Sequence, residues 1–268
     1  MSNLSRHGGS LTAHRALPML AVIAIAIAIA QVPPVRATPC AFADQGEGRV
    51  AGIVDSRSFR LDDGREIKLA GIEAASSDTK ALAALVGGRD VLLRGDDDAP
   101  DRYGRQRAFV TLAGSDMLVQ RELVANGAAL TGGDIADADC ARLLFEAEAE
   151  GRAAHRGIWA SAVIKNAESP DDILSGVGRF TVVEGKVLSV RQAGATTYLN
   201  FGHNWTRGFA VTISKRMMPV LDAAGLSAKS LENRRIRVRG WVEAPRGLNS
   251  GPRIDLLQVA QIEMLSSN

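Results

Sequence analysis

The chain has 268 residues, 46% of them hydrophobic and 23% charged, with 32 Lys/Arg against 30 Asp/Glu. That length suits two domains better than one, and the composition excludes a predominantly disordered chain. The net charge of +2 excludes nothing until it is divided along the sequence.

Arg6 and Arg15 precede an apolar run at 16–30, ALPMLAVIAIAIAIA, and no acidic residue occurs before Asp44. A basic start, an apolar middle and the small residue ending Val35-Arg36-Ala37 predict a signal peptide over 1–37 and an exported protein, periplasmic or secreted. The run is shorter than the ~20 residues of a membrane-spanning helix. No stable membrane insertion is therefore expected, unless the segment is kept uncleaved as an anchor. Export changes the reading of the two cysteines, Cys40 and Cys140, because oxidising compartments favour disulfides. A Cys40–Cys140 bridge would tie the mature N-terminus to the first domain; the alternative is two unpaired thiols.

Along 49–69, Val50, Ile53, Phe59, Leu61, Ile67 and Leu69 follow the alternation of half-buried strands, and Asp62-Asp63-Gly64 is a hairpin turn signal. A short helix is predicted at 79–86, ended by Gly87-Gly88. The strand DVLLRG, the acidic turn DDDAPDRYGRQ and the strand RAFVTL follow. Met117, Leu118, Leu123 and Val124 then take helical spacing, with Gly127 placed to end that helix. A last helix over 140–156 carries Leu143, Leu144 and Ala147 on one side, and its Glu146, Glu148 and Glu150 read as solvated charge. Trp159 is expected to pack back on the core. Strands first and helices later, over 41–160, predict a small α+β domain or a barrel with helices packed on it.

Residues 161–177 are polar and aperiodic, and read as a linker. Five strand-like segments with one helical piece, MMPVLDAAG, predict an OB-type barrel over 178–268. Residues 41–160 hold 15 Lys/Arg and 21 Asp/Glu, a net of −6; residues 178–268 hold 13 and 6, a net of +7. Only the second half has the electrostatic bias of a polyanion binder.

Three stretches in series resemble the staphylococcal nuclease (thermonuclease) family. VDSRSFRLDDGREIKLAGIEA resembles its V-D-G-D-T…R-L-x-G-I-D-x-P-E pattern, and DRYGRQRAFV its D-K/R-Y-G-R segment. MLVQRELVANGAA and the C-x-R-L-L…E-A…H-R-G-I-W-A run resemble its last two helices. The match runs from about Val50 to Trp159 and implies a five-stranded OB barrel packed with helices. For the whole chain the expected fold is mainly β with α, as two OB-type five-stranded barrels.

Members of that family hydrolyse phosphodiesters with a calcium ion, a carboxylate that activates water and two arginines on the phosphate. Hard calcium takes six or more oxygen ligands, and arginine offers paired donors to phosphate oxygens. Carried over by position, Asp55 keeps the first acid of the metal motif, Arg57 replaces the second, and Glu73 stands at the next ligand position, so Asp55 and Glu73 are a vestigial metal pair. Lys68 and Arg105 occupy the two phosphate-contacting positions. The general-base glutamate falls on Ser76, with Asp78 the nearest substitute carboxylate. Loss of a general base is worth about 10²–10⁴ in rate, and Arg57 places positive charge where the cation would sit. The resemblance thus implies weak or absent hydrolysis and no required cofactor, with Ca²⁺ needed only under the alternative of an active nuclease with a rearranged site.

A positive reading uses the same residues. Arg57, Lys68 and Arg105 would form a metal-free anion pocket with Glu73 as internal counterion; the competing reading is an Arg57–Glu73 ion pair filling a vestigial cleft. No CxxC, HExxH, GxSxG or glycine-rich phosphate loop is present, and the four histidines are scattered. In the second half, RRIRVRGW puts Arg235, Arg237 and Arg239 on one strand face. With Trp241, Tyr198 and Trp205 they are candidates for a basic stacking surface for single-stranded nucleic acid; the plainer reading makes Trp241 core and the arginines solubilising. Nucleic acid or a phosphate-bearing ligand is the expected partner, with an envelope protein as the alternative.

Overall fold

The computed structural model describes residues 8–9, 40, 42–96, 99–204, 206–245 and 250–265. The chain divides into two units, Met1–Arg36 and Ala37–Asn268, and the elements of the described residues lie in the second. The signal peptide predicted over 1–37 lies outside the described residues, apart from Gly8 and Gly9. Among the described residues, no helix is long and apolar enough to cross a membrane.

The first half runs β1 (Ala43–Asp55), β2 (Ser58–Leu61), β3 (Glu66–Leu69), β4 (Ile72–Ala74), α1 (Lys80–Val86), β5 (Asp90–Gly95), β6 (Arg105–Leu112), α2 (Val119–Ala125), β7 (Ala129–Thr131) and α3 (Ala138–Ala153). β1 is long enough to pair with β5 along its first part and with β2 along its second. Register irregularities bend it, and the sheet closes as a barrel in the order β1–β2–β3–β6–β5, with β3 and β6 parallel. The β2–β3 turn forms as its residues dictate. Gly64 takes φ +91°, which favours glycine, and the Arg65 amide donates to Asp63 Oδ1 at 2.9 Å. Phe59, Leu61, Ile67, Leu69, Val91 and Leu93 are buried in the core.

α3 begins at Asp137, whose side chain accepts from the Cys140 amide at 2.6 Å, an N-cap of the usual chemistry. Its buried stripe is Cys140, Leu144, Ala147, Glu148 and Gly151, which is helical spacing. Cys140 is bonded to Cys40 across a Cα–Cα distance of 4.5 Å, and both are buried. The bridge therefore forms, and it pins the start of β1 against α3.

The second half runs β8 (Lys165–Asn166), α4 (Pro170–Leu174), β9 (Phe180–Lys186), β10 (Ser189–Ala193), β11 (Thr196–Asn200), β12 (Ala210–Ser214), α5 (Met218–Ala223), β13 (Arg235–Glu243), β14 (Arg253–Leu256) and β15 (Ile262–Met264). The sheet order is β10–β11–β12–β14–β13–β9–β8, with β15 added on β13. Counting β9 and β10 as one strand interrupted at Val187-Leu188 gives the order of the first half, with the parallel pair, β12 and β14, in the same place. The expectation of five strands in a barrel is corrected in two respects. Among the described residues there are eight strands, and their hydrogen-bonded path does not close as one ring, because Val187 turns inward to the core and its amide donates to the Arg234 carbonyl.

The segment 161–177 is folded and is not an open linker. β8 pairs with β9, α4 follows it, and Ala167 and Ile173 are buried in the second core. Trp159 packs in the seam with Leu130 of the first half and Val182 of the second.

Candidate functional site

A cleft of about 460 Å³ opens on one side of the first barrel, lined by Arg57, Lys68, Glu73, Asp101, Arg102, Tyr103, Arg105, Arg107 and Asp134, with Leu69 and Ile72 beneath. Lys68 on β3 and Arg107 on β6 are register partners across the parallel pair. Arg105 begins β6 two residues earlier, so the strand period directs it to the same face. Arg57 stands in the β1–β2 turn, whose shape depends on Asp55: the Asp55 carboxylate accepts from the Arg57 amide at 2.8 Å. Asp55 is exposed and does not line the cleft. The structure brings Arg57, Lys68, Arg105 and Glu73 to one cleft.

Each cleft carboxylate is held by an arginine. Arg57 pairs with Glu73 and also donates to the Ile72 carbonyl at 3.2 Å. Arg107 pairs with Asp134. Asp101 accepts from Arg105 twice, at 2.8 and 3.1 Å, and from the backbone amides of Tyr103 and Arg105. The Arg105 side-chain hydrogen bond, followed by the backbone ones, holds the Asp101 carboxyl well below the usual carboxylate range.

Lys68 has neither an ion pair nor a hydrogen bond among the described residues. Burial, then the charges of Arg57 and Arg105, push its ammonium below the usual lysine range, and Glu73 only partly offsets them. Arg102 likewise has no carboxylate partner among the described residues, and lies 4.7 Å from the Tyr103 ring. Tyr103 itself is 66% exposed at the rim.

Sequence reasoning missed Asp101, Arg102, Arg107 and Asp134. For two of them the signal was present. Asp101 and Arg105 are four apart around a tight turn, and Arg107 repeats the strand period after Arg105. Asp134 is far from the cleft residues in sequence and carried no such signal.

The remaining candidates fall elsewhere. Ser76 and Asp78 line a different recess, with Asn126, Gly127 and Gly157. Asp78 accepts from the Lys80 amide at 3.0 Å at the start of α1 and lies outside the arginine-lined cleft.

The residues present do not fit a calcium ion. That ion takes six to eight oxygen ligands, whereas Glu73 is committed to Arg57, Asp101 to Arg105 and Asp134 to Arg107. The described residues contain no group of three or more metal-ligating side chains.

The nucleic-acid surface expected on β13 requires correction. Arg237 is buried and bonds to Glu184 and Glu263 at 2.7 Å each. Arg239 is fully buried and bonds to Glu148 of α3 at 2.8 Å. Glu148, expected in solvent, is 1% exposed. Trp241 is 51% exposed with its edge against Phe180. The face does alternate as predicted, but the first half covers its middle, so only Arg235 and Trp241 reach solvent. Tyr198 lies apart, in a groove on β11 and β12, and Trp205 is outside the described residues.

The comparison with curated proteins gave no match. Residues 70–161, from just after β3 to just beyond Trp159, match the family described as staphylococcal nuclease homologue.

Proposed function

We propose that this is an exported protein whose cleft binds phosphate groups without a metal, on nucleic acid or another phosphate-bearing ligand, with weak or absent phosphodiester hydrolysis. One observation carries the reading. Among the described residues, five cations line the cleft against three carboxylates, the carboxylates are paired one to one, and Lys68 and Arg102 are left without a carboxylate. An ammonium held below its ordinary range by burial and by neighbouring arginines is relieved by an anion, which restores favourable charge around it. Arginine forks facing one cleft suit phosphate oxygens. A nuclease-homologue domain is consistent with nucleic acid as the polymeric source of that phosphate.

Hydrolysis lacks support because Ser76 supplies no base and lies outside the cleft, while Glu73 is tied to Arg57. Export is supported by the basic-then-apolar N-terminus and by the Cys40–Cys140 bridge, a bond that persists in oxidising compartments.

Calorimetry with inorganic phosphate and with a 5′-phosphorylated oligonucleotide tests the reading, at low salt and with chelator present. Saturable binding that weakens in Lys68→Met supports it. Calcium-dependent cleavage by the unmodified protein would overturn it in favour of an active nuclease.

A further inference from the structure

We infer that the second half braces the cleft: Arg239 and Gln261 are positioning residues that hold the strip 131–134, and through it Glu73 and Asp134, in the arrangement of the anion site. The inference rests on the phosphate-binding reading.

The strip is gripped at three successive points. At Thr131, both backbone polar groups are engaged by a buried pair that spans the two halves. Glu148 Oε2 accepts from the Thr131 amide at 2.8 Å, and Arg239 Nη1 donates to the Thr131 carbonyl at 3.2 Å. Arg239 also lies 4.5 Å from the Phe145 ring. At Gly132, the amide donates to the Gly71 carbonyl at 2.8 Å, one residue before β4. At Gly133, a Cβ would stand 2.2 Å from Gln261 Cγ, so the Gln261 side chain rests directly on the strip's backbone. Gln261 is itself immobilised. Its carbonyl oxygen accepts from the Leu257 and Gln258 amides at 2.6 and 2.9 Å, and its nitrogen donates to the Arg239 and Asp255 carbonyls at 3.0 and 3.1 Å.

Both ends of this grip lead to the cleft. The next residue, Asp134, pairs with Arg107. β7, which ends at Thr131, pairs with β4 so that Leu130 stands opposite Glu73, the partner of Arg57. Two of the three carboxylate–arginine pairs that shape the cleft therefore sit on backbone held from the second half.

Stability alone gives a poor reason for these residue types. A buried ion pair has to recover a large desolvation cost, and well-packed apolar residues often do as well or better. What the apolar replacement lacks is a donor for the Thr131 carbonyl and an acceptor for its amide.

The test is the double variant Glu148→Leu with Arg239→Met, and separately Gln261→Ala, in the full mature chain. Amide hydrogen exchange at 72–74 and 131–134 and the dissociation constant for inorganic phosphate are measured on protein shown to be folded by near-ultraviolet circular dichroism. Exchange at both segments should rise while other core amides keep their protection, and phosphate affinity should fall by at least about fivefold, the lower range of typical site coupling. Unchanged exchange at 72–74 and 131–134 overturns the brace, whatever the phosphate result. If the wild-type protein binds no phosphate, the binding reading fails, and raised exchange then shows a brace for a cleft with another ligand. Should the double variant not fold, Gln261→Ala, which leaves the ion pair in place, decides the matter by the same two readouts.

Discussion

Glu148 and Arg239 lie 91 residues apart in sequence, one on a helix of the first half and one on a strand of the second, and meet at 2.8 Å with essentially no solvent exposure. Around them, Arg237 and Arg239 share Glu263, and Arg152 stands 3.6 Å from Glu148. The basic character of the second half is thus partly spent inside the molecule, against the acidic character of the first.

Removing one member of this pair leaves the other buried without a counter-charge. Glu148→Leu and Arg239→Met, each made alone, should destabilise by about 3–5 kcal/mol. The double variant Glu148→Leu with Arg239→Met should cost less than either single change. Urea titrations of the four proteins form the cycle, and additive losses would contradict a coupled pair.

The disulfide closes a segment separated by 100 residues. In the chain-entropy model such a loop contributes about 4–5 kcal/mol by restricting the unfolded chain. Cys40→Ser with Cys140→Ser should therefore lower Tm by many degrees while leaving the fold intact. Purified, unfolded protein should show no titratable thiol until reduced.

Lys68 is the cation that most needs an anion. Lys68→Met should weaken phosphate binding by about tenfold or more, the range of one hydrogen bond to a charged group. Because its ammonium is held below the ordinary lysine range, free protein should lose affinity on the alkaline side before a model lysine, at about 10.4, would titrate. Bound phosphate should move the Lys68 titration upward, and nitrogen-detected NMR of the side chain would show the direction.

Asp101 predicts an acid-side effect of opposite sense. Its carboxyl is depressed in the folded protein, first by Arg105. A depressed carboxyl contributes stability that is present above the unfolded value of about 3.9 and lost as pH falls through the folded one. Asp101→Asn should lower Tm at pH 7, and the difference should shrink as pH drops below about 4. A gap that stays constant down to pH 2 would rule out this assignment.

Reversing one charge should invite a cation. Arg57→Asp removes the guanidinium from Glu73 and adds a carboxylate beside Asp55 and Glu73, so weak calcium binding should appear by calorimetry, on the order of millimolar as in low-affinity oxygen sites. Cleavage should not follow, even when Ser76→Glu is added, because position 76 opens into a different recess. Restored nuclease activity in that double variant would contradict the placement of Ser76.

The sequence by itself determined what local chemistry governs. Alternation laid out β2, β3, β5 and β6. Asp62-Asp63-Gly64 turned the hairpin, and the order of motifs brought Arg57, Lys68, Glu73 and Arg105 to one cleft. Glu148 was within reach of the same reasoning, since it follows Cys140 and Leu144 at helical spacing, but a glutamate on a buried stripe reads as solvated until something is found to face it. Only the tertiary structure decided that. The partner of Glu148 is 91 residues away, and no local pattern encodes which half of the chain will cover which strand face. For the same reason the alternation of RRIRVRGW located the arginines on one face correctly and their environment wrongly. Periodicity assigns a side to each residue, whereas burial depends on what the rest of the chain packs against that side. Here α3 and β7 cover Arg239, the carboxylates of Glu184 and Glu263 hold Arg237, and Trp241 remains exposed beyond them.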